Sequence, residues 1–354
     1  MSRFLKSALS ALEPYTPGEQ PRGEIKLIKL NTNESPFPPS AKVLEAIDRA
    51  EVEKLRLYSD PTCRDAVNAI AKMLGVESDQ VVLGNGSDEL LAFAFHGFCE
   101  KGAAFADITY GFYSVFADMF SVKANVIPLR EDYSLAVEDY RDAEGTVFIA
   151  NPNAPTGLCL PLSDIRILLE QNRERLVVVD EAYVDFGGES AIALLPEYDN
   201  LLVIRTMSKS RSLAGARVGF AIGNKDLIAD MNAMRFSFNP YNINRLSLLA
   251  AEKAAEDVEY FEDCCRKIIE NRAFLTEALR ERGFTVLDSK TNFVFAKSTI
   301  GGKAYLDALR AKGILVRWFS SERLRDYVRI TIGTREEMEE LVRATDDILR
   351  EANQ

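Results

Sequence analysis

Two rhythms of apolar and polar positions run along the chain. Short apolar runs recur at Val81–Leu83, 103–106, 122–127, 146–150, Leu176–Val179 and Leu201–Ile204, most of them flanked by Gly, Asn, Asp, Ser or Pro. Such runs, bounded by turn formers, predict buried strands. Between them lie stretches with apolar residues three and four apart, among them a helix starting near Ser87 or Asp88 and one over 163–171. Strands alternating with helices from 80 to 222 predict an α/β fold with a mostly parallel sheet.

Upstream, residues 25–30 predict a short strand, and NTNESPFPPS an ordered loop with three prolines. Ser40 is placed to cap a helix from Ala41 to about Leu55, and a second amphipathic helix runs from Asp65 to Leu74, ended by Gly75. Downstream, SFNPYNINRLS leads into a helical pattern over roughly 245–282, ended by Gly283. FTVLD, TNFVFAK, a helix over 302–312, ILVRWF, VRITIG and a helix over 335–351 follow. This predicts a large α/β domain over 36–260. Residues 1–35 and 261–354 would form a smaller α+β domain, which the N-terminal strand rejoins.

Composition narrows the chemistry by exclusion. The 354 residues are 47% hydrophobic and 27% charged, with a net charge of −11. That balance argues against a nucleic-acid or acidic-membrane surface, so an anionic ligand must be held by a local cluster of cations. The longest uncharged run, 146–163, is broken by Pro152, Pro155 and Pro161 and is not a membrane span. Arg3 and Lys6 fall where a signal peptide needs an apolar core, so MSRFLKSALSAL reads as a short amphipathic helix. Five cysteines without metal or disulfide spacing point to a reduced cytoplasmic protein. The one histidine, His96, lies in the apolar run LLAFAFHGF and reads as a packed helical residue, which leaves no Ser-His-Asp triad and no histidine metal site.

The candidate chemistry gathers at strand ends. Leu201–Ile204 runs into a turn with Thr206, Ser208 and Lys209, and Arg217 follows eight residues past the lysine. A deprotonated lysine amine attacks carbonyls, and hydroxyls and arginine bind phosphate oxygens. Asp180 lies just past Leu176–Val179, where an unpartnered carboxylate is costly, and Tyr183 comes three residues later. GNGSD at 84–88 turns into a helix start that attracts anions, yet it is neither a Walker A loop nor a dinucleotide fingerprint, because Glu89 stands where the third glycine belongs. Tyr110 offers a flat face. A lysine for a Schiff base, an acid for a pyridinium nitrogen and a phosphate cradle are the parts that pyridoxal 5′-phosphate requires.

At this point the chain resembles the histidinol-phosphate aminotransferase family, within the fold-type I pyridoxal-phosphate enzymes. PYTPGE, IKLNTNESPF, GNGSDELL, TYGFY, NPNAPTG, VVDEAY, TMSKSRSLAGARVGF and YVRITIGT look like family blocks in family order, over nearly the whole length. The resemblance implies that Lys209 forms the Schiff base and moves the proton, that Asp180 pairs with the ring nitrogen, and that Tyr183 bonds the ring hydroxyl. Gly86, Ser87, Asp88, Thr206, Ser208 and Arg217 would hold the cofactor phosphate, and Tyr110 would stack on the ring. Tyr58 would cross a homodimer interface toward the phosphate. Arg329, with Arg317 and Tyr15, would bind the anionic end of the substrates. The family asparagine before Pro-Thr-Gly is Ala154 here, so Asn153 is expected to reach the ring from one position earlier. The implied reaction exchanges an amino group between L-histidinol phosphate and 2-oxoglutarate. An aromatic or broad-range aminotransferase and a threonine-phosphate decarboxylase use the same groups and stay open.

Overall fold

The computed structural model of the chain describes residues 5–6, 9, 12–16, 18–20 and 27–352. The expected N-terminal helix falls mostly on residues outside that set, as do residues 25 and 26 of the first expected strand.

Seven strands form the central sheet: β2 (Val81–Asn85), β3 (Ala103–Ala106), β4 (Ala124–Ile127), β5 (Thr146–Ala150), β6 (Val177–Asp180), β7 (Leu201–Thr206) and β8 (Val218–Gly223). Their order is β2-β8-β7-β6-β5-β3-β4. Pairs from β4 through β7 are parallel, and β8 runs antiparallel to both β7 and β2. The apolar runs are continuous because helices cover both faces of such a sheet. Val177, Val179 and Ile149 pack on one side with Ile165 and Leu168, whereas Val178, Phe148 and Ile204 pack on the other with Leu91 and Phe95. Each such side chain contributes about 1.5–3 kcal/mol on burial.

A four-stranded antiparallel sheet, in the order β12-β13-β10-β9, comprises β9 (Thr285–Val286), β10 (Phe293–Lys297), β12 (Arg317–Trp318) and β13 (Tyr327–Thr331). Its core joins Val294, Ile330 and Val328 to Ile268, Leu275 and Leu341 of the flanking helices. The first strand, β1 (Ile28–Lys29), pairs in parallel with β11 (Ile314–Leu315), so the N-terminal segment does return to the C-terminal part of the chain. Among the described residues, no helix is long and apolar enough to cross a membrane.

Several elements differ from the sequence reading, each for a local reason. The helix expected from Ala41 to Leu55 is two, Ala41–Ala46 and Arg49–Glu53, because the Asp48 carboxylate accepts the Glu51 N–H at 2.8 Å and caps a new start. The pattern over 245–282 breaks at Asp257, which leaves helical geometry, into Arg245–Glu256 and Val258–Glu281. ILVRWF divides at Val316 because its halves pair with different strands. Asp180 is the last residue of β6 rather than just beyond it. His96 is exposed rather than packed: Leu90, Leu91, Phe93, Ala94 and Phe95 already fill the inward stripe of helix Ser87–Phe98, and the next 100° step points out. The His96 ring lies tilted against Phe120, with centroids 5.1 Å apart.

Candidate active site

Parallel register pairs Ala150 with Asp180 and Asp180 with Ile204, so the carboxyl ends of β5 and β6 stand level and β7 runs two residues further, to Thr206. Ligands of open α/β sheets bind at such ends. A cavity of about 130 Å³ lies here, and its walls include Ser87, Asp88, Tyr110, Asp180, Tyr183, Thr206, Ser208, Lys209 and Arg217. The fold therefore brings together residues separated by as much as 130 positions.

Asp180 is buried and accepts hydrogen bonds from the Tyr113 hydroxyl at 3.0 Å and the Ala182 N–H at 3.2 Å. Burial pushes its carboxyl up to about 6, against the pull of those two donors. A cationic partner would hold it ionised. Lys209 Nζ donates to the Thr32 carbonyl at a long 3.4 Å and sits 5.9 Å from the centre of the Tyr183 ring.

At the other end of the cavity, Gly86 (φ +80°) precedes helix Ser87–Phe98. A Cβ on Gly86 would meet Arg217 Nη2 at 2.4 Å, and one on Gly219 would meet the Ser87 nitrogen at 2.3 Å. The two glycines thus let the helix start and the guanidinium close on one point. Thr206 and Ser208 add buried hydroxyls, linked to each other at 2.9 Å. Backbone N–H groups, hydroxyls and an arginine form an anion site. The Asp88 side chain acts on its neighbours instead. Its carboxylate accepts from the Tyr110 hydroxyl at 2.7 Å and from Arg217 Nη2 at 2.8 Å, orienting both. With an amine, a buried carboxyl and an anion cradle around one cavity, the donor set fits pyridoxal phosphate.

A larger cleft, about 490 Å³, shares Tyr110, Ala154, Tyr183 and Lys209 with the first cavity and also reaches Tyr15, Arg317 and Arg329. The antiparallel register of β12 and β13 sets Arg317 opposite Arg329. Arg329 donates to the Asn31 carbonyl at 3.3 Å and lies over the rings of Phe293 and Phe319. Its Nε is buried without an acceptor among the described residues, and none of their carboxylates forms an ion pair with it. Burial, and then Arg317, pull its guanidinium below the usual arginine value. Arg317 Nη2 donates to the Thr16 carbonyl at 3.0 Å. Like charges opposite one another on a sheet are destabilising, and the buried Arg329 guanidinium is suited to an anion. Tyr15 stacks on Phe112 at 4.4 Å at the rim.

The contact expected of Tyr58 lies across an interface with a second copy, outside a single chain. Asn153 does not line the cavity: its amide donates to the Ile108 carbonyl and the Thr156 hydroxyl, both at 3.0 Å, and its oxygen accepts from Thr109 at 2.9 Å. It lines a separate cleft behind the loop, while Ala154 faces the cavity. Tyr58 is 80% exposed, stacked on Tyr241 beside the exposed Leu55 and Leu57. The sequence reading missed Asn33, whose amide donates to the Tyr183 hydroxyl at 2.9 Å. Asn33 adopts φ +57° and is fixed by the Thr331 hydroxyl and Asn292. Its only signal was its place in the NTNES loop.

Residues 25–344 match the family described as aminotransferase class I and II. The chain is 47% identical to a histidinol-phosphate aminotransferase of Clostridium acetobutylicum, over 97% of this chain and 98% of the relative. It is 46% identical to one from Brachyspira hyodysenteriae, over 99% and 100%. Among solved structures, histidinol-phosphate aminotransferase from Sinorhizobium meliloti in complex with pyridoxal-5′-phosphate superposes with a TM-score of 0.89 at 25% identity, covering 99% of both chains.

Proposed function

The chain belongs to the class I and II aminotransferase family, and from that premise we propose that it transfers the amino group of L-histidinol phosphate to 2-oxoglutarate with pyridoxal phosphate as cofactor. When bound, the cofactor supplies an aldehyde for the amino group and an electron sink for the Cα–H bond that must break. The chain's residues do the rest. Lys209 would hold the cofactor, and its Nζ, when free, would remove and return the Cα proton. Asp180 would keep the ring nitrogen protonated, and Tyr183, oriented by Asn33, would bond the ring hydroxyl. The helix start at Gly86, Ser87 and Asp88, together with Thr206, Ser208 and Arg217, would take the phosphate, and Tyr110 would cover the ring.

The observation that carries the substrate assignment is the pair Arg317 and Arg329 at one wall of the cleft that Lys209 enters. One substrate ends in a phosphate and the other in two carboxylates, and the same two guanidinium groups serve both in turn. Tyr15 closes the rim.

The protein works as a cytoplasmic homodimer. Tyr58, Leu55, Leu57 and Phe238 are exposed, and a second copy would cover them while Tyr58 reaches the neighbouring phosphate site. Residues 36–260 form the cofactor domain, with 1–35 and 261–354 as the smaller one. The helix break at Asp257 supports that boundary, as do the separate cores of the two sheets. Steady-state assays with histidinol phosphate, phenylalanine and threonine phosphate test the assignment. Histidinol phosphate is expected to give the highest kcat/KM. Preference for phenylalanine, or release of CO2 from threonine phosphate, would replace it with an aromatic aminotransferase or a decarboxylase.

A further inference from the structure

Behind Lys209 lies a charged cluster that touches neither the cofactor cavity nor the substrate cleft. Asp185 sits in the short 3₁₀ turn Val184–Phe186, five residues beyond Asp180. One of its carboxylate oxygens accepts a hydrogen bond from the buried hydroxyl of Ser210, the residue after Lys209, at 2.5 Å. The other accepts from Arg205 Nη2. Arg205 Nε lies 3.9 Å from Glu181, whose carboxylate is fixed by the Ser190 hydroxyl and the Ala191 N–H, both at 2.6 Å. The cluster thus spans two strand ends. One carries Asp180 and Tyr183; the other carries Lys209.

We propose that Asp185, braced by Arg205 and bonded to Ser210, is a positioning residue that sets where the Lys209 turn stands relative to Asp180. The chemistry needs the amine and the acid at a fixed separation across one ring, and a misplacement of about 1 Å can cost about 100-fold in rate. The long contact of Lys209 with Thr32 does little to hold it, and the neighbouring serine provides the tie from outside the pocket. Charge-assisted hydrogen bonds in a mostly buried setting are stiff enough for that role.

This rests on Lys209 carrying the cofactor. The test uses the full-length, cofactor-loaded protein and Asp185→Asn, Ser210→Ala, Ser210→Thr and the double variant Asp185→Asn/Ser210→Ala. The readouts are kcat, KM, the pH midpoint of the lysine-bound cofactor's absorbance band and circular dichroism in that band. Asp185→Asn and Ser210→Ala are each expected to lower kcat about 10-fold with KM within about threefold, and to move the absorbance midpoint by about 0.5 pH unit or more. The double variant is expected to be no worse than the poorer single, because the two residues act as one unit. Ser210→Thr, which keeps the hydroxyl, is expected to restore the wild-type midpoint. Wild-type midpoint and dichroism in both single variants, with only thermal stability lowered, would make the cluster merely structural and overturn the proposal. Fully additive losses would overturn it too. If the wild-type protein itself shows no lysine-dependent band, the cofactor assignment fails first, and this inference with it.

Discussion

At the end of β6 and beside it, side chains are held by the chain itself: Asp180 takes two hydrogen bonds, and Arg217, just before β8, meets Asp88 at 2.8 Å. In the adjoining cleft Arg329 lies opposite Arg317, with a buried Nε that has no acceptor among the described residues. The first region is pre-organised around a ligand that stays. In the second, the buried Arg329 guanidinium forms no ion pair among the described residues, which suits an anionic group that must enter and leave.

The contrast can be broken first at its chemical centre. Lys209→Ala is expected to lower kcat by at least about 10³-fold and to abolish the lysine-bound absorbance band, while the fold's thermal midpoint stays within a few degrees. A mutant that kept the band and the activity would move the chemistry to another lysine. On the cleft side, Arg329→Gln is expected to lower kcat/KM about 10²–10³-fold for both substrates with the band intact. Arg317→Gln, at the same wall, is expected to lose about 10-fold, mainly in KM for the phosphate-bearing donor. Equal effects on a neutral substrate would remove the anion from the explanation. A smaller effect comes from Asn33→Ala, which deprives the Tyr183 hydroxyl of a donor worth about 1 kcal/mol, hence about fivefold in kcat; unchanged kcat would assign Asn33 to loop structure alone.

The weakest effect is in stability. Burial pushes the Glu181 carboxyl up to about 7 from its ordinary 4.5. A raised folded value favours the protonated form, so this contribution is present below about pH 4.5 and lost as pH rises through 7. Urea unfolding of the cofactor-free protein at pH 5 and 7.5 is expected to show wild type losing on the order of 1–3 kcal/mol more than Glu181→Gln over that interval. Parallel pH curves would mean that Arg205 already holds Glu181 ionised.

The two regions also differed in how far they could be read from the chain. The cofactor side follows from local pattern, since an apolar run followed by a turn fixes where Asp180 and Lys209 emerge. The cleft depends on register. Apart from the family resemblance, nothing near Arg317 indicates that it faces Arg329, because that requires an antiparallel pairing of β12 and β13 across the segment 319–326. Asn33 was hidden for the same reason: its partners, Tyr183, Thr331 and Asn292, are 150 to 298 positions away. Asn153 failed differently. Being one residue from the family position was no help, because its amide is taken by Ile108, Thr109 and Thr156. His96 lay in an apolar run and still faced outward, since periodicity assigns a face only to within a step of the helix.

The central claim is that this site accepts an amino group from a phosphate-bearing donor and passes it to a dicarboxylic 2-oxo acid. The most direct measurement adds L-histidinol phosphate alone to the cofactor-loaded protein and counts product. One equivalent of the keto product per site is predicted, with loss of the lysine-bound band, which returns when 2-oxoglutarate is added. No keto product in that single turnover, from protein that carries the band, would contradict the account.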